Sequence, residues 1–251
     1  MRSSLRLLFA FVLLAAGARA ASSPAEVAAV ISRARARLGS EAALTGVTSL
    51  RFQGTYETAG EGETPQKGAI EMTFQKPFQH RSVITSSTGR EEVTALDGLE
   101  SWMRVKDGKE QRLTLFPKEQ TKTLRANTWQ TLEFYRGVER VGGTVELLGE
   151  ETVGGVLCSK VIFRHDTNLA WTRFFDKATG RLVLTETAQG KTLEEGEIVS
   201  DGIRFPQKIT STVKSSTGKE ITVTIVFAKV ALNEKFPASL FTVPTISSLR
   251  Q

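Results

Sequence analysis

The sequence predicts a mainly β fold, one wide antiparallel sheet attended by two helices, and three observations predict it. Apolar and polar residues alternate with a period of two through most of the chain, the pattern of strands with one buried face. Glycine-containing turn signals recur at Gly89, Gly98 and Gly108, at Gly143 and Gly155, and at Gly180, Gly190 and Gly202, with gaps of nine to twelve residues that mark successive antiparallel strands. No stretch rich in Pro, Gly and Ser is long enough to divide the sheet, so residues 21–251 are expected to form a single domain.

Residues 1–20 stand apart from that domain. Arg2 and Arg6 give a positive start, residues 7–18 are an apolar run, and Ala18-Arg19-Ala20 is a small-x-small cleavage site, together the pattern of a secretory signal peptide. The run is shorter than the ~20 residues a membrane span needs, and no cysteine beside the site could accept a lipid. The mature chain is therefore expected to begin at Ala21 and to be soluble in the periplasm. Its formal charge falls from +6 to +3, because Arg2, Arg6 and Arg19 leave with the leader. With acidic and basic residues interleaved thereafter and no Lys/Arg block, a nucleic-acid partner is not expected. Cys158 is the only cysteine, so no internal disulfide can form, and a half-buried strand position is its expected place.

The first element after the leader is a helix. Ser23 as cap, Pro24 at the first helical position and Glu26 three residues after the cap supply both ends of a capping box. Val27, Val30, Ile31, Ala34 and Leu38 follow at helical spacing, Arg33, Arg35 and Arg37 fall mostly off that stripe, and Gly39 ends it. The period then drops to two. Leu50, Phe52, Gly54 and Tyr56 form one strand face, Ile70, Met72 and Phe74 another, and Ile221, Val223, Ile225 and Phe227 the cleanest of all. Residues 118–135 break this pattern, lack turn signals and place Leu124, Thr128, Leu132 and Tyr135 on one helical face before Gly137, which predicts the second helix.

A sheet of about ten strands has more apolar face than two helices can cover by flat packing, so it is expected to curl. The interior so formed either fills as a core or encloses an apolar cavity suited to lipid chains. On the second alternative, Phe52, Tyr56, Ile70, Met72, Phe74, Trp102 and Leu132 are the candidate lining residues.

Catalytic patterns are poor. His80 and His165 belong to no metal-binding pair and read as surface or edge residues, while Glu91-Glu92, Glu150-Glu151 and Glu194-Glu195 read as solvated turns. The glycines follow no phosphate-binding pattern. Neither an enzyme nor a cofactor or metal site is expected.

Several stretches resemble a known family. The strand end Phe74-Gln75-Lys76-Pro77-Phe78, the turn and strand Asp97-Gly98-Leu99-Glu100-Ser101-Trp102, and the closing run Phe236-Pro237-Ala238-Ser239-Leu240-Phe241-Thr242-Val243-Pro244 occur in the order seen in LolA-like outer-membrane lipoprotein-sorting proteins. The stretches Asp176-Lys177-Ala178-Thr179-Gly180 and Gly202-Ile203-Arg204-Phe205-Pro206 are similar to later strands of that superfamily, so the resemblance covers nearly all of residues 22–245. It implies a half-open antiparallel barrel under a helical lid, holding acyl chains in an apolar cavity, without chemistry. In the sorting protein itself it implies acylated lipoprotein as cargo, an inner-membrane ABC transporter as donor and an outer-membrane receptor as acceptor. The same fold also serves a periplasmic regulator that senses mislocalised lipoprotein, and a structural envelope protein with a filled core is a further alternative. Those family members carry an arginine before the proline that ends an early strand, where it closes the lid by bonding lid carbonyls. Lys76 stands at that place here.

Overall fold

The computed structural model describes residues 23–60, 64–214 and 218–244. The leader and the expected new terminus at Ala21 lie outside the described residues. Helix α1 (Pro24–Leu38) begins as expected: the Ser23 hydroxyl accepts from the Glu26 amide, and the Glu26 carboxylate accepts from the Ser23 amide. A second helix, α2 (Glu41–Thr45), capped by Ser40, follows after two residues; at five residues it is too short to leave a period in the sequence. Then come β1 (Ser49–Gly60), β2 (Gln66–Gln75), β3 (Gln79–Ser86), β4 (Glu91–Asp97), β5 (Ser101–Asp107) and β6 (Glu110–Leu115), a six-stranded meander.

Helix α3 (Lys118–Glu133) interrupts the strands, and the sheet resumes with β7 (Thr144–Val153), β8 (Val156–Asp166), β9 (Leu169–Asp176), β10 (Leu182–Glu186) and β11 (Gly190–Glu195). A small hairpin, β12 (Ile198–Ser200) with β13 (Ile203–Phe205), leaves the sheet before β14 (Lys208–Lys214) and β15 (Glu220–Leu232) complete it. The order is β6-β5-β4-β3-β2-β1-β15-β14-β11-β10-β9-β8-β7, thirteen strands rather than the ten or so expected. Every pairing is antiparallel. The two edge strands, β6 and β7, are the ones that α3 joins, so the helix crosses the gap that keeps the sheet from closing.

Curvature has identifiable causes in the middle of the sheet. Gln53 pairs with Lys229 but Gly54 pairs with Phe227, so Ala228 is an extra residue in β15. The bulge resets the alternation: Phe227 and Val230, three apart, are both buried in the core with Leu50, Phe52 and Phe74. Gly54 at the bulge and Gly68 on β2 lie so close to the Val226 and Thr85 carbonyls of neighbouring strands that a Cβ could not be accommodated. Gly190, expected in a turn, is the first residue of β11 and makes the same close approach to Thr212.

Gly54→Ala is therefore expected to destabilise the fold by about 1–3 kcal/mol through overpacking at the bend. Thr55→Val, at an exposed position of the same strand, is expected to stay within about 0.5 kcal/mol. Urea unfolding of the two variants checks this.

Candidate functional site: the chamber under the third helix

Helix α3 is weak as an isolated helix. Its N-cap is Pro117, which offers no side-chain bond, and Thr123, Thr128 and Thr131 turn their hydroxyls back onto carbonyls four residues earlier. Tertiary contacts hold it in place. On the β2–β3 turn, Phe78 stacks on Trp129 at 5.5 Å and lies beneath the Arg125 guanidinium at 4.1 Å. Deeper in, the Ser101 and Thr121 hydroxyls bond at 2.7 Å.

The carboxyl end of α3 is held by a cluster of charges. Phe134 and Tyr135 both adopt positive φ, so the chain leaves the helix through two left-handed residues without a glycine. Arg35 compensates. It is 5% exposed, and its Nη1 donates to the carbonyls of Glu133 at 2.8 Å and Phe134 at 2.7 Å, while Nε and Nη2 grip the two carboxylate oxygens of Glu41 at 2.9 and 2.8 Å. One fork thus joins all three helices, satisfies two orphan carbonyls and puts positive charge at the negative end of a helix dipole. Burial would raise the Glu41 carboxyl, but Arg35 and Arg136 hold it below its ordinary value. The sequence pattern, by contrast, set Arg35 aside as off the apolar stripe.

Lys76 also reaches this end of α3, by a different route from the one the resemblance implies. Its Nζ pairs with the Glu133 carboxylate at 2.8 Å, and the helix carbonyls are taken by Arg35.

Beneath α3 lies a cavity of about 370 Å³. Seven strands adjacent in the sheet, β2, β1, β15, β14, β11, β10 and β9, wall it, and the roof comes from Asn127, Gln130, Thr131, Phe134 and Tyr135 with the β12–β13 hairpin. Of the residues singled out from sequence, Phe52, Met72 and Phe74 line it. Leu132 sits above it in the core with Phe52 and Phe74, and Tyr56 and Ile70 are buried farther along β1 and β2 without reaching it. Trp102 is elsewhere: it packs with Val93 and Ala95, and its indole donates to the Phe241 carbonyl at 2.8 Å, anchoring the closing segment of the chain. A wider depression of about 590 Å³ runs between α1 and the edge strand β7, away from these residues.

The far wall is polar, which the sequence reading missed. Arg173 on β9 donates to Gln130 Oε1 at 2.5 Å, and Gln130 Nε2 meets His165 Nε2 at 2.7 Å. Glu194, expected in a solvated turn, is a half-buried residue of β11 facing this wall, and burial pushes its carboxyl up to about 7 against the pull of Arg173 and Arg181. His80, expected at the surface, is buried against Phe74 at 4.7 Å, and burial lowers it to about 4; His165 is lowered to about 4 by burial and the Arg173 charge. Cys158 is fully buried on β8. Among the described residues no cluster of three His, Cys, Asp or Glu could hold a metal ion, and no helix is long and apolar enough to cross a membrane.

Known structures share this architecture. A LolA superfamily protein from Nitrosomonas europaea superposes with a TM-score of 0.58 over 86% of this chain and 97% of its own. The fold is LolA-like. A domain from Vibrio parahaemolyticus named for outer membrane lipoprotein sorting gives 0.57 over 90% and 100%, and a DUF1329 family protein from Desulfovibrio piger 0.56 over 89% and 98%. Identity is 11% in all three, so the likeness is one of fold. No protein-family model and no curated protein matches the sequence.

Stability should fall with acidification in a defined window. Unfolded histidines take up protons near pH 6.5, whereas His80 and His165 resist until about 4, so the unfolded state binds more protons between those values and is favoured as pH drops. Glu194 acts oppositely between its ordinary value of 4.5 and about 7, offsetting one of the two. His80→Phe should therefore flatten the slope of unfolding free energy between pH 4.5 and 6.5, as measured by urea titrations across that range.

Proposed function

We propose that the protein is a carrier of lipid acyl chains in the bacterial envelope, exported by the leader at residues 1–20 and acting without cofactor or bond-making chemistry. The observation that carries this reading is the chamber: an apolar wall of Leu50, Phe52, Met72, Phe74, Ile225 and Phe227, roofed by a helix that depends on tertiary contacts. Chambers of this kind bury hydrocarbon efficiently, and a marginal roof can lift to admit it. Arg35 and Lys76 together hold the roof closed in this reading, and release follows when their grip on the end of α3 is lost.

Within the carrier class, likeness to the Vibrio lipoprotein-sorting domain supports outer-membrane lipoprotein sorting as the specific role. The partners would then be acylated lipoprotein, an inner-membrane ABC transporter that loads it and an outer-membrane receptor that accepts it.

Affinity should climb with chain length. Each methylene buried contributes ~0.8 kcal/mol, roughly fourfold in affinity, until the chamber is full. Displacement of a fluorescent fatty acid by a series of saturated chains checks this, and a flat series would indicate a filled core. Met72→Asp, which puts a charge on the apolar wall, should lose binding while retaining a native circular-dichroism spectrum.

A further inference from the structure

The chamber has two chemically distinct halves. Toward β2, β1 and β15 it is hydrocarbon; toward β9, β10, β11 and β14 the apolar Trp171, Leu182 and Ile209 are interspersed with Arg173, Thr185, Thr192, Glu194 and Ser211. A container for chains alone gains nothing from a guanidinium, because a buried charge without a counter-ion is costly.

Arg173 is such a charge. It is 9% exposed, its Nη1 is satisfied by a neutral amide, and its Nε has no partner among the described residues. None of the ion pairs among those residues includes it. The Tyr135 and Phe163 rings lie 4.8 and 5.0 Å away and attract the cation without neutralising it. Arg35, also buried, is by contrast closed by a carboxylate on two of its nitrogens. Glu194 is near enough to feel Arg173 electrostatically, but burial leaves its carboxyl partly protonated near neutrality, so it supplies only part of the missing negative charge.

We propose that Arg173 anchors the carboxylate of a single-chain amphiphile, a free fatty acid, whose tail lies along the Phe52–Met72–Phe74 wall. This rests on the broader reading, a carrier of acyl chains, and names a free fatty acid as ligand in place of the acylated lipoprotein of the sorting role. The unpartnered Nε leaves the guanidinium one bond short, which a carboxylate reaching it from the chamber would supply, and Thr185 and the mutually bonded Thr192 and Ser211 hydroxyls line the same chamber. At about 370 Å³ the chamber lies at the low end of the ~300–1,000 Å³ typical of ligand pockets, which fits one chain rather than several.

Calorimetric titration of the full mature chain with dodecanoate, 1-dodecanol and dodecyl phosphate tests the assignment. Dodecanoate should bind about tenfold or more tightly than dodecanol, the expected gain from a charge-assisted bond in a dry site. Gln130→Glu, nearly identical in size, places an internal carboxylate within reach of Arg173 Nη1 and should bring the dodecanoate-to-dodecanol ratio close to one; Arg173→Met should do the same. Equal binding of the two ligands by the unaltered protein, or a ratio unchanged in Gln130→Glu, would overturn the anchor while leaving the carrier reading intact. Dodecyl phosphate bound more tightly than dodecanoate would overturn the carboxylate assignment in favour of a phosphate headgroup. Failure of all three to bind would overturn the carrier reading as well.

Discussion

A single guanidinium under the carboxyl end of α3 fixes where the roof of the chamber sits. The two edge strands of the sheet, β6 and β7, are not paired with each other, and among the described residues α3 with the turn that follows is what joins them across that gap. A helix rich in threonine, uncapped at its start and leaving through two left-handed residues, has little reason to hold that position alone. Arg35 supplies the reason by bonding two carbonyls of α3 and the carboxylate of α2 from a seat on α1. The well-capped first helix therefore acts as a foundation for the poorly capped third one.

The same arrangement explains why the interior is a chamber rather than a continuous core. The bulge at Ala228 and the Cβ-free approaches at Gly54 and Gly68 bend the central strands around the inward faces of β1, β2 and β15. Phe52, Phe74 and Phe227 fill part of the concavity against Leu132 and Phe134. Opposite them the strands carry side chains that resist dry packing, and Arg173, Glu194 and the threonine hydroxyls keep the β9–β11 wall from collapsing onto the phenylalanines. Polarity on one wall and hydrocarbon on the other is what a ligand with a head and a tail requires.

How much of this the sequence discloses depends on how local each feature is. The capping box of α1 lies within four residues and is legible in full, as is the alternation of β1 and β2 and of β15 up to the bulge at Ala228. Helix α2 is invisible because five residues contain barely more than one turn. The buried side of α3 was read only in part: Thr128 and Leu132 fall where expected, but Gln130 and Glu133 are buried too, because a roof over a polar wall need not be apolar. The role of Arg35 depends on carbonyls 98 and 99 residues away, and that of Arg173 on an amide 43 residues away, distances at which no local pattern speaks. One signal was present. In β9 the inward positions read Trp171, Arg173, Phe175, a charge in the apolar phase of a strand; β11 carried no such mark, because its one apolar residue, Leu193, is 44% exposed while Thr192 and Glu194 face inward.

The most direct test of the chamber uses a probe already built into its wall. Of the three tryptophans, Trp171 lines the cavity, whereas Trp102 is packed under the closing segment and Trp129 is stacked on Phe78. A fatty acid brominated along its tail quenches indole fluorescence on contact, so its addition should quench the native protein and leave the residual emission of Trp171→Phe unchanged. Quenching that persists undiminished in Trp171→Phe would place the acyl chain elsewhere on the molecule and contradict the account.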